Sequence, residues 1–104
     1  MSASFVDPAS ELTLESYLAL PDQERNRILA EAIVRNESAV YEACQQLQVD
    51  WLLYAGSEIV ASGMWSNILS HDQLTGFAQR YNRPVYLAAL VQDNSECGLI
   101  FSTV

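Results

Sequence analysis

The sequence predicts an α+β fold: an N-terminal helical hairpin followed by a small, mainly antiparallel four-stranded sheet, in the order ααββαββ. Two observations carry this. Over residues 22–48 the apolar positions Leu29, Ile33, Val40, Cys44 and Leu47, with Ile28, Ala32, Ala39 and Ala43 beside them, keep the three-and-four spacing of a helix with one buried side. After Asp50 the period becomes that of extended chain: WLLYA and EIVASG flank Gly56-Ser57, and VYLAALV begins at Val85.

The elements follow in order. Residues 1–11 are small, polar and interrupted by Asp7-Pro8, and read as a loose arm. Thr13 is placed to cap a short helix running through Leu20, with Leu12 and Tyr17 forming a hydrophobic staple across the cap. Pro21 suits the first position of the second helix, since the amide it lacks would have no partner there. Asp22 and Glu24 complement the helix dipole in its first turn. Asn36 alone interrupts the apolar stripe and marks the place for a bend, while Glu31 can pair with Arg27 and Arg35 on the outer face.

Trp51–Ala55 and Glu58–Gly63 then form a hairpin about Gly56-Ser57, a type II′ turn with glycine at the position that takes a positive φ. The simple register sets Tyr54 against Ile59, Leu53 against Val60, Leu52 against Ala61 and Trp51 against Ser62. Ser70 and Gln73 form a capping box that opens a helix to Tyr81, which Asn82-Arg83-Pro84 ends. Val85–Val91 is the third strand, Gln92–Gly98 a polar turn, and Leu99–Thr103 the fourth strand. The organisation is one domain over residues 1–104, with the arm at 1–11, a helical portion at 13–48 and a ββαββ portion at 50–104.

Half of the 104 residues are apolar, enough to bury a core without metal or disulfide staples. Thirteen carboxylates face five arginines and no lysine, a net charge of −8 that repels phosphate backbones and anionic membrane surfaces. No nucleic-acid or membrane partner is expected. Nine of the carboxylates and three arginines fall in residues 1–50, so the acid is concentrated where the helices are. Cys44 and Cys97 lack CxxC spacing and read as two reduced thiols, although spacing does not decide whether they meet. The first residues lack a basic stretch followed by an apolar one, and the expected location is cytoplasmic.

Motifs that suggest chemistry fail on geometry. Ser70-His71-Asp72 holds the residue types of a hydrolase triad, but consecutive helical residues point about 100° apart and cannot form the chain of proton transfers. His71 is the only histidine, which closes metal sites that need two. Asp93-Asn94-Ser95-Glu96 lacks the further acids and central glycine of a calcium loop, and Ala55-Gly56-Ser57 is followed by no helix N-terminus that would hold a phosphate. No catalytic, cofactor-binding or metal-binding residue is assigned, and no cofactor is expected.

The stretch from Trp51 to Pro84, with an aromatic opening a strand, a glycine turn, EIVASG, a short helix and then RPVYLAAL, resembles small prokaryotic domains of unknown function whose core reads W-x-x-x…G-x-x-V-A-S-G before a helix and strand. The resemblance covers about half the chain. It implies a ββαβ core and no catalytic residue.

Both faces of the predicted sheet are apolar, so something must cover the second one: helices divided between the faces, a second copy, or another protein. The functional expectation is a non-enzymatic interaction or regulatory module, with protein partners or self-association as a homo-oligomer. Its surface would be the acidic outer side of the long helix around Glu31, or the apolar second face around Trp51, Trp65 and Tyr86. The alternative is a ligand-binding domain or enzyme with a pocket between the helical hairpin and the sheet, marked by a buried carboxylate beside Tyr54 or Tyr86.

Overall fold

A computed structural model describes residues 5–93 and 96–103, the side chains at 92, 93, 96 and 97 excepted, and the elements come in the expected order. They are α1 (Leu14–Leu18), α2 (Asp22–Leu47), β1 (Trp51–Ala55), β2 (Glu58–Gly63), a 3-10 turn (Trp65–Asn67), α3 (His71–Tyr81), β3 (Val85–Asp93) and β4 (Glu96–Thr103). The four strands form one sheet in the order β2-β1-β3-β4, antiparallel at every pairing. β2 and β3 therefore run parallel to each other on either side of β1, and α3 lies in the crossover that joins them.

The helix ends obey their local chemistry. The Thr13 hydroxyl accepts from Ser16 N at 3.1 Å. Ser70 and Gln73 satisfy each other reciprocally, Gln73 N donating to Ser70 Oγ at 3.3 Å and Ser70 N to Gln73 Oε1 at 2.8 Å. Two expectations shorten: α1 spans five residues and stops before Leu20, so the helical hairpin is one short helix beside a long one, and Pro21 is the N-cap of α2 rather than its first residue. At the far end the strands lengthen at the expense of the polar turn, because β3 and β4 keep pairing as far as Asp93 and Glu96. Asn94 and Ser95, within the four-residue acidic stretch considered for a cation, lie outside the described residues.

The hairpin differs from its simple register by one residue. Tyr54 faces Ile59 as expected, but Leu53 then faces Ala61, Leu52 faces Ser62 and Trp51 faces Gly63, with Val60 bulged out. The aromatic ring explains the shift. A Cβ at position 63 would lie 2.5 Å from Asn67 Oδ1 and 2.8 Å from Trp51 Cζ2, so only glycine fits opposite Trp51. Gly56 has φ +65 while Ser57 is not left-handed, as a type II′ turn requires.

Helices of the protein itself pack on both sheet faces. Leu52, Tyr54, Tyr86, Ala88 and Phe101 pack under α2 through Ile28, Ala32, Val40 and Cys44. Trp51, Leu53, Ala55, Val85, Leu87 and Ala89 pack under α3 through Leu74 and Ala78, with Ile68 and Leu69 of the preceding connection beside them. The bulge brings Ala61 to this second side, opposite to its place in the simple register.

The loose arm is corrected over residues 5–11. Phe5 is buried and stacks on Tyr54 with ring centroids 3.9 Å apart. Asn36, fully buried, holds the next residue on both backbone groups: Val6 N donates to its Oδ1 at 2.7 Å, and its Nδ2 donates to Val6 O and to Ala32 O, both at 2.8 Å. Asp7 Oδ1 accepts from the Tyr86 hydroxyl at 2.8 Å. The residue that interrupts the apolar stripe of α2 is the one that fastens the arm.

Candidate functional site

Of the four residues singled out in the sequence, two are interior. Trp51 is 3% exposed under α3, and Tyr86 is fully buried under α2, on the opposite face. They cannot share a surface, because β1 and β3 turn them to opposite sides of the sheet. Glu31 lies on α2 with its carboxylate 2.9 Å from Arg35, while Arg27 pairs with Glu24 rather than with Glu31. With Arg25 on Asp22, all three arginines of α2 are engaged by carboxylates of the same helix.

Trp65 is different. It stands 43% exposed in the 3-10 turn, directly after Met64 at 46%. It is also held at two points: its backbone N donates to Asp50 Oδ2 at 2.9 Å and its indole Nε1 to Leu90 O at 2.6 Å. Asp50 is itself fixed in the sheet end, its N donating to Gly63 O and its O accepting from Leu90 N, each at 2.8 Å. The turn beneath is tied to the core by Asn67, whose Oδ1 accepts from Met64 N at 3.0 Å and Trp51 Nε1 at 3.3 Å. Trp51 Nε1 also donates to Met64 O at 2.9 Å. A half-exposed indole is thereby presented in one orientation, with a flexible thioether beside it.

Three buried ionisable groups are held in their neutral forms. Burial, reinforced by Asp50, pushes the Cys44 thiol up to about 11, so it is protonated at neutral pH. Burial likewise raises the Tyr54 hydroxyl to about 12, and burial with the Asp7 carboxylate raises Tyr86. The Ser70 hydroxyl is occupied by its capping bond, and His71 is exposed in the first turn of α3. No group of three or more His, Cys, Asp or Glu suited to a metal occurs among the described residues. No helix of the described residues is long and apolar enough to cross a membrane.

One polar residue escaped sequence reasoning. Asp7 is buried beside Tyr86, the mark set for a ligand site, but its Oδ1 serves the arm by accepting from Ala9 N and Tyr86 Oη, each at 2.8 Å. Its second oxygen is buried without a partner among the described residues. The available signal was Asp7-Pro8 itself, since an aspartate before proline favours a turn closed onto the backbone two residues on. A cleft of about 290 Å³ does open between α1, α2 and the end of β4, lined by Tyr17, Asp22, Arg25, Asn26, Leu29 and Thr103. Asp7 does not line it.

Comparison with family models, with curated proteins and with solved structures finds no match to this chain.

Proposed function

We propose that this chain is a non-enzymatic protein-interaction module that engages a partner through Met64 and Trp65. The observation that carries this reading is the double anchoring of a half-exposed tryptophan at Asp50 Oδ2 and Leu90 O. A tryptophan left in water for no purpose gains nothing from a fixed orientation. One meant for a socket gains affinity, because little side-chain freedom is left to lose on binding. The net charge of −8 favours a socket with a basic rim, which would speed encounter and weaken with salt.

The test is photocrosslinking in the native host from a photoreactive residue placed at Ser66. A crosslinked protein is expected, and Trp65→Ala should reduce its yield roughly tenfold or more, as for a binding hot spot. Glu31→Gln should leave the yield unchanged. A crosslink indifferent to Trp65→Ala but abolished by Glu31→Gln would move the contact to α2, and no crosslinked protein at all would sink the reading.

The cleft beside α1 favours a second reading, a small-ligand domain. Its observation is Arg25, whose Nε is buried without a partner among the described residues while its terminal nitrogen meets Asp22. Stabilisation against heat by small carboxylates or phosphates, lost in Arg25→Ala, is the expected outcome on that reading.

A further inference from the structure

The two outer strands of the sheet are finished differently. β2 carries Glu58, a bulge at Val60 and Gly63 over six residues, the devices that ordinarily keep an edge from pairing with another chain. β4 keeps unbroken register against β3 for eight residues. From Gly98 to Thr103 it reads Gly-Leu-Ile-Phe-Ser-Thr, with no charge, no proline and no bulge. Among the described residues its outer side has no strand partner.

Ile100, in the middle of this stretch, is 51% exposed. It faces Ala89, which belongs to the side of the sheet under α3, yet the cluster beneath α3 draws its strand residues from β1, β2 and β3 and, among the described residues, includes none of β4. On the other side of the same strand, Leu99 and Phe101 are packed under α2. β4 is therefore held firmly on one face while its edge and the Ile100 side chain stay open.

We infer that β4 pairs antiparallel with β4 of a second copy of this chain, about a two-fold axis near Ile100, joining two four-stranded sheets into one of eight. Antiparallel pairing of identical strands is self-complementary, so each copy offers the other the same row of backbone donors and acceptors. Charge selects the place. Two copies each carrying −8 repel wherever carboxylates meet, and the stretch from Gly98 to Thr103 holds none. Pairing also sets Ile100 beside its counterpart across the axis, which covers the side chain that α3 leaves in water. This interface is separate from Met64 and Trp65, and the two proposals stand or fall independently.

Sedimentation velocity of the full chain, up to about 200 µM, decides it. A reversible monomer–dimer equilibrium is expected, and the dimer should tighten as salt is raised to about 0.5 M, because the dominant long-range force between the copies is repulsion. Ile100→Lys, which sets two ammonium groups against each other at the axis, should weaken the dimer at least about tenfold. The same change on the other edge, Ile59→Lys, and the change Trp65→Ala should both leave it intact. Should Ile100→Lys fail to fold, amide hydrogen exchange on the unaltered chain gives the answer: exchange in residues 98–103 should slow as concentration rises. A chain that stays monomeric throughout, a dimer abolished by Trp65→Ala but not by Ile100→Lys, or exchange in β4 that ignores concentration would each overturn the inference.

Discussion

The two faces of one sheet are closed by different means. Under α3 the contacts are apolar throughout, with Leu53 and Val85 fully buried against Leu74 and Ala78, and the one polar group, the indole of Trp51, is satisfied at the rim by Met64 O and Asn67 Oδ1. Under α2 the aliphatic packing is completed by a polar latch in which Asn36, Asp7 and Tyr86 fix an arm that has no regular structure of its own. Aliphatic contacts ask only for volume and tolerate small shifts, whereas the latch asks for direction and fails as a unit. The α3 side should therefore set global stability, and the α2 side should own a smaller unit that can open alone.

Breaking the first side gives the largest effect. Leu53→Ala should cost about 3 kcal/mol, by lost burial and the cavity left behind, and should lower protection from amide exchange across the whole sheet. Urea unfolding with exchange measured on the same samples checks this. Asn36→Ala removes three hydrogen bonds and should cost about 2 kcal/mol, through the buried backbone groups it leaves unpaired. Its signature is local: the Val6 and Ala9 amides should exchange freely while the strands under α3 keep their protection. Uniform loss of protection in Asn36→Ala would mean that the two sides are one cooperative unit.

The smallest effect is one of pH and sharpens the same contrast. The hydroxyls of Tyr54 and Tyr86, both under α2, are raised above their ordinary value of 10.0, Tyr54 to about 12 and chiefly by burial. The neutral forms are favoured in the folded chain, so this contribution is fully present below pH 10 and is lost as the pH rises from 10 towards 12. Stability should be flat across neutral pH with respect to these groups and should fall above about pH 10, with the arm's amides losing protection first. Melting curves and exchange across that range would refute the assignment if the α3 side loosened first.

How much of this could be read beforehand follows the same division. The helix and strand positions of both cores were legible because periodicity is local: Ile28, Ala32, Val40 and Cys44 announce one side of a helix, and WLLYA followed by EIVASG announces two strands. So was the capping box at Ser70, whose partner Gln73 lies in the same turn. The arm was not legible, since Asn36 finds Val6 across 30 residues and Tyr86 finds Asp7 across 79, and no spacing rule spans such distances. The bulge at Val60 was hidden for a related reason, because it answers to the ring of Trp51 and to Asn67 rather than to its own neighbours. The candidate surface followed suit: Trp65 was visible as a residue, but its two anchors, Asp50 just before β1 and Leu90 within β3, meet only in the fold.

The bond between Asp7 and Tyr86 also orders events in time. A chain made from its N-terminus at roughly 5 to 20 residues per second has its arm in hand some seconds before β3 exists to receive it. Until synthesis has moved 79 residues on from Asp7, Asp7 lacks the hydroxyl it bonds and Phe5 lacks the Tyr86 ring beside it. The arm is thus made before the strand that receives it, and its docking on Tyr86 waits for β3.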